Sequence, residues 1–127
     1  MIRYTINLQP ITKKNSQRIL TNKRTGTPFI SQSEKYKAFE AAAGYYIDPP
    51  ETPIDYPVNV ECVYYRKDRR RVDLVNLQES TLDILVRYGV LKDDNFNIVV
   101  SMDGSRVFVD RDNPRTEITI TRKENNE

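Results

Sequence analysis

An α+β fold, with a mixed sheet packed against two main helices in a single domain, is what this sequence predicts. Three observations carry the prediction. Short runs alternate apolar and polar residues in the manner of half-buried strands. Two other segments repeat apolar residues at helical spacing. At 127 residues the chain suffices for one modest core and rarely divides further.

IRYTINL, residues 2–8, sets Ile2, Tyr4, Ile6 and Leu8 on one side and Arg3, Thr5 and Asn7 on the other, which predicts a first strand. From Gln9 to Thr27 the chain is polar, carries Lys13, Lys14, Arg18, Lys23 and Arg24 with no acid, and reads as a long basic loop. Ser33 ahead of Glu34, Tyr36, Phe39, Ala42, Ala43 and Tyr46 predicts an N-capped first helix with an apolar stripe, ended by the prolines of DPPETPIDYP. VNVECVYY, residues 58–65, is rich in β-branched and aromatic residues and forms the next strand, with RKDRRR attached to its end. A second helix is expected from about Leu74 to Tyr88, closed by Gly89 in a left-handed turn. NIVVSMDGSRVFVD predicts a hairpin turning on Asp103-Gly104, and RTEITITR predicts a last strand. The domain is expected over residues 1–122, with 123–127 as a frayed tail.

Composition removes several classes of function. With 38% hydrophobic and 30% charged residues the chain suits a soluble globular protein. No apolar run is long enough to cross a membrane and no signal-peptide pattern opens the chain, so a cytoplasmic location is expected. Cys62 is the single cysteine and is expected to be a small buried residue; an internal disulfide and a cysteine-based zinc site are excluded. The sequence has no histidine, which removes the serine-histidine and cysteine-histidine nucleophile systems and the usual general base. Polar catalysis must rest on carboxylates, lysines or a bound metal. The net charge of +2 is too small to diagnose nucleic-acid binding, so the placement of charge carries the argument.

On the second helix, Asp73, Asn76, Glu79, Ser80, Asp83 and Arg87 share a polar arc, while Leu74, Leu77, Thr81, Ile84, Leu85 and Tyr88 cover the opposite side. One reading is a solvated face, in which Asp73 favours the helix start and Asp83 pairs with Arg87. Asp93 and Asp94 favour another, because the loop after Gly89 can return them toward that arc. Carboxylates so grouped repel unless a cation neutralises them, and oxygen ligands of this kind suit Mg²⁺ or Mn²⁺ shared with phosphate oxygens. The preceding Arg66, Lys67, Arg69, Arg70 and Arg71 then hold a nucleic-acid backbone, or form only a solvated loop. The tyrosines Tyr45, Tyr46, Tyr64 and Tyr65 read as core, with base stacking in a non-catalytic binding module as the alternative.

RRRVDLVNLQESTLDIL followed by GVLKDDN resembles the RusA family of Holliday junction resolvases, found in bacteria and their phages and prophages. The family pattern has arginines, then Asp-x-Asp-Asn-Leu-x-Lys, an Asp on the same helix and a Gly-x-x-x-Asp-Asp loop. The resemblance places Asp73, Asn76, Leu77, Asp83, Asp93 and Asp94 on that pattern. It departs at Val75, which stands where the family has an acid, and at Glu79, which stands where it has a lysine. Glu79 lies four residues after Val75, so the expectation is a displaced ligand: Asp73, Glu79, Asp83, Asp93 and Asp94 around Mg²⁺, with Asp73, Glu79 and Asp94 catalytic. The missing lysine's role passes to an arginine of the RRR run or to Lys92.

The resemblance further implies cleavage of four-way or other branched DNA in recombination and repair, by a homodimer that cuts two equivalent strands symmetrically. DNA contacts are expected from Lys13, Lys14, Asn15, Arg18, Arg69, Arg70, Arg71, Asn76 and Lys92. A catalytically silent module that still binds branched DNA is the alternative.

Overall fold

The structure, a computed structural model, describes residues 1–13, 17–32 and 34–124. Its strands are β1 (Ile2–Ile6), β2 (Gln17–Thr21), β3 (Pro28–Gln32), β4 (Val58–Arg66), β5 (Val99–Ser101), β6 (Arg106–Val109) and β7 (Arg115–Arg122). Its helices are α1 (Glu34–Ala43), followed by a 3₁₀ turn at Gly44–Tyr46, and α2 (Leu74–Arg87). This is the expected α+β class. Among the described residues no helix is long and apolar enough to cross a membrane.

β4 is the centre of the main sheet. It pairs antiparallel with β7, which pairs antiparallel with β1, and its other edge takes β5 and β6, both parallel to it. A parallel neighbour requires a long crossover, and α2 provides it between β4 and β5. Val58, Val60, Cys62 and Tyr64 on one face of β4 are buried, as are Ile118 and Ile120 of β7 and Tyr4 and Ile6 of β1. Leu77, Ile84 and Leu85 of α2, with Val90 and Leu91 beyond it, complete the core. Burial pushes the Cys62 thiol up to about 12, so Cys62 is a packing residue, as its sequence setting indicated.

Three expectations about elements are corrected. NIVVSMDGSRVFVD is not a hairpin, because β5 and β6 run in the same direction along one edge of β4. The segment between them bulges instead, held by Asn59: its Oδ1 accepts from the Ser101 hydroxyl at 2.5 Å and from the Asp103 N–H at 2.8 Å. Gly104 turns this bulge at a φ of +89°, against Glu61. Second, the basic N-terminal stretch is not all loop. β2 and β3 form a separate antiparallel hairpin, turned by Asn22, whose side chain accepts from the N–H of Arg24 and Thr25, and by Gly26 at a φ of +73°. Its polar composition concealed two short strands. Third, Tyr45 and Tyr46 are exposed rather than core, because α1 gives way to the 3₁₀ turn at Gly44. Tyr64 is core and Tyr65 lies half-buried on the sheet's other face, between Arg115 and Phe108.

Gly89 has a φ of +79° and closes α2, as its position predicted. At the C-terminus the Lys123 N–H still bonds the Pro57 carbonyl at 2.9 Å, while residues 125–127 and the Ser33 cap lie outside the described residues. Gly104→Ala is expected to destabilise the protein by about 1–3 kcal/mol, through positive-φ strain and a Cβ driven into the Glu61 carboxylate. Denaturant unfolding measures this, and an unchanged midpoint contradicts the account of the bulge.

Candidate functional site

The rotation of α2 about its axis decides which of its polar groups face solvent. Leu77, Ser80, Thr81, Ile84 and Leu85 are buried. The Tyr64 and Thr81 hydroxyls meet at 2.7 Å, and the Thr81 hydroxyl also lies 2.8 Å from the Leu77 carbonyl, which it can donate to. Ser80 therefore leaves the solvent-facing arc in which periodicity placed it. Its Oγ accepts the N–H of Lys13 at 3.2 Å, tying the N-terminal loop to the helix.

One turn further along, the Lys13 ammonium lies 2.8 Å from the Asp83 carboxylate. Asp83 thus pairs with Lys13 and not with Arg87, which pairs with Glu40 of α1. Lys13, Asp83, Asp93 and Asp94 line a single concavity of about 390 Å³, together with Glu40, Val86 and Arg87. The loop after α2 reaches it because Val90 and Leu91 donate to the Leu85 carbonyl and the Lys92 N–H donates to the Ile54 carbonyl. Within that loop the Asp93 carboxylate accepts from the Asp94 N–H at 2.7 Å and from the Asn95 side chain at 3.1 Å. These bonds hold the Asp93 carboxyl below its ordinary range. Asp94 is shifted the opposite way: burial first, then Asp93 and the charge of Asp83, raise its carboxyl above that range.

The other expected site residues lie elsewhere. Asp73 precedes α2 and accepts from the Asn76 side chain at 3.3 Å, and Glu79 is exposed; neither lines the acidic concavity. Among the described residues no group of three or more acids and cysteines is placed to hold a metal ion. The expected convergence of Asp73, Glu79, Asp83 and Asp94 is therefore corrected. For Asp73 the physical reason is length along the helix: ten residues at 1.5 Å rise put it about 15 Å from Asp83, and the return loop is tied to the last turns only; Glu79, one turn before Asp83, is exposed outside the concavity. Lys92 is exposed beside Asp93 and Asp55. Lys14, Asn15 and the Arg18 side chain lie outside the described residues.

At the opposite end of α2, Arg69, Arg70 and Arg71 are exposed and Arg66 is buried. Arg66 donates to the Arg70 carbonyl at 2.6 Å and to the Pro10 carbonyl at 3.4 Å. The Arg70 N–H donates to Asp68 at 3.0 Å, so the arginine segment is held from both sides. Sequence reading grouped Arg66 with the phosphate-facing cations; its carbonyl partners make it a brace for them. Lys13 was expected only as a DNA contact, and no local pattern announced its partnership with Asp83, seventy residues away.

The family model described as endodeoxyribonuclease RusA matches residues 7–121, from the end of β1 to the last residues of β7. The chain belongs to the RusA family. A comparison with curated proteins gave no match. The matched span contains both ends of α2, the arginine segment and the acidic loop, so the charged features described above all lie within the RusA region.

Mg²⁺ retains several waters and takes one or two carboxylates alongside phosphate oxygens, and Asp83 and Asp94, close enough to repel, suit that reduced role in this RusA chain. Without added metal, the fold favours the protonated form of Asp94 more than the unfolded chain does. Its contribution to stability is therefore complete below the unfolded carboxylate range and is lost as pH rises through its own raised value. Asp94→Asn is expected to stabilise the metal-free protein at pH 7 and to lose that advantage at acid pH. Thermal unfolding across pH measures this, and an Asn variant no more stable than wild type at neutral pH refutes it.

Proposed function

We propose that this chain is a Mg²⁺-dependent endodeoxyribonuclease, with Mn²⁺ as a substitute, that hydrolyses phosphodiesters of four-way junctions or related branched DNA. It acts as a homodimer with one site per subunit, in the cytoplasm, in recombination and repair. The observation that carries the reading is the concavity that joins Asp83, Asp93 and Asp94 to Lys13 in a RusA-family chain.

Asp83 and Asp94, with Asp93 beside them, would hold the ion, which supplies Lewis-acid activation of water and neutralisation of phosphate charge. The chain's own residues do the rest. Arg69 and Arg71 bind flanking phosphates and orient the strand, on a segment braced by Arg66. Asp94, whose carboxyl is raised, is the group suited to take a proton from the attacking water in a protein without histidine. Lys13 supplies at Asp83 the cation that position 79 lacks, and meets phosphate charge as the strand enters. Glu79, outside the concavity, has no part in this scheme.

The second reading, a RusA-like module that binds branched DNA without cutting it, is favoured by Val75 and Glu79 at two motif positions. Cleavage of a synthetic four-way junction with Mg²⁺ or Mn²⁺ separates the two. Wild type is expected to nick the junction in paired strands, Asp83→Asn and Asp94→Asn each to lose about 10²-fold or more, and Glu79→Gln to keep the wild-type rate. Binding with no nicking in either metal establishes the module instead. A large loss in Glu79→Gln restores the displaced-ligand arrangement.

A further inference from the structure

Beside the arginine segment the sheet edge carries a feature that phosphate binding does not require. Among the described residues β6 pairs with β4 alone, which leaves its outer side as an open edge of the described sheet. Val107, Phe108 and Val109 on it are 37%, 45% and 44% exposed. Register sets Val107 opposite Tyr64 and Val109 opposite Arg66, whose side chains reach toward α2 and the arginine segment. By strand alternation the two valines face the same way. They and the arginines line a concavity of about 360 Å³, within the roughly 300–1,000 Å³ of small-molecule sites. The one acid in its wall, Asp68, accepts the Arg70 N–H.

The chemistry of the two walls selects the occupant. Guanidinium groups hold phosphate and also lie flat over base rings. A phosphate alone gains nothing from a valine floor. Duplex DNA presents phosphates, sugars and groove edges while its base faces stay stacked inside. An unpaired nucleotide brings an apolar face and a phosphate together, which is what this concavity offers to both.

We propose that the concavity between β6 and the arginine segment takes one unpaired nucleotide of branched DNA, its phosphate on Arg69 and Arg71 and its base over Val107 and Val109. The inference rests on the branched-DNA reading above and adds a site to it. α2 starts beside this concavity and carries Asp83 about 14 Å further on. A nucleotide held here sets the register of the strand that reaches the acids.

The test measures binding by anisotropy in EDTA, where no cutting occurs, to labelled DNAs of equal length. They are a paired duplex, a fully paired four-way junction and a junction with two unpaired nucleotides at the branch. Wild type is expected to bind the last about tenfold more tightly than the fully paired junction. The double variant Val107→Thr/Val109→Thr, which keeps β-branched shape, is expected to lose that preference while duplex affinity and salt dependence stay as in wild type. Val109→Lys is expected to lose the preference while binding duplex more tightly. Arg69→Ala is expected to weaken all three DNAs and flatten the salt dependence by about one unit. A threonine variant that retains the preference, or weakens all three DNAs alike, overturns the nucleotide site. So does a variant that changes only the oligomeric state, since β6 then pairs with a second copy. Wild type that binds no branched DNA overturns both this site and the reading beneath it. Junction binding that ignores the valines overturns the site alone.

Discussion

The buried bond between the Tyr64 and Thr81 hydroxyls sets α2 on the sheet, and the arrangement of charge depends on it. With the Thr81 hydroxyl donating to the Leu77 carbonyl, the buried Tyr64 hydroxyl donates to Thr81, and turning the helix would leave Tyr64 without that acceptor. With Thr81 inward, Leu77, Ile84 and Leu85 pack on β4, Ser80 is drawn under the N-terminal loop, and Val75 and Glu79 stay at the surface. Asp83 comes to the margin, where Lys13 and the acidic loop meet it.

The helix then works as a spacer between opposite charges. Its start carries the arginine segment, braced by Arg66, and its last turns carry the acidic loop, held by backbone bonds to Leu85 and Ile54. The N-terminal loop runs between the two ends. Pro10 accepts from Arg66, the Gln9 side chain accepts the Lys67 N–H, and Lys13 bonds both Ser80 and Asp83. The arginine segment and the acidic loop are thereby kept apart, and the acidic concavity gains a cation in Lys13, which limits the cost of collecting carboxylates in one place.

The open edge of the sheet follows from the same crossover. Because α2 brings the chain back parallel to β4, the segment after it runs along one edge as two short strands instead of folding into a hairpin. Asn59 and Gly104 absorb the irregularity between them. Short strands interrupted by a bulge and flanked by charge are poor templates for aggregation, and Arg106 and Asp110 frame β6 in this way. The edge remains accessible to a ligand while resisting continuous strand pairing.

Local pattern made most of the fold legible: strict alternation identified β1 and β7, the β-branched run identified β4, and Gly89 marked the end of α2. It also identified the family, since the arginines, Asp73, Asn76, Leu77, Asp83, Asp93 and Asp94 form an ordered motif covered by the RusA match. Periodicity could not decide the rotation of α2 to within one residue, which is why it sets Ser80 outside; Glu79 is on the surface as periodicity has it, and only its spacing from Val75 in the family motif pointed it toward a shared ion. Nor could composition reveal the β2–β3 hairpin within a polar stretch, or the parallel course of β5 and β6, which a favoured turn dipeptide disguised. The sequence alone determined which charges this protein carries and in what order, because those are properties of neighbouring residues. Which charges meet was decided only in three dimensions, where the buried contacts of α2 bring Lys13 to Asp83 and keep Asp73 at the far end of the helix.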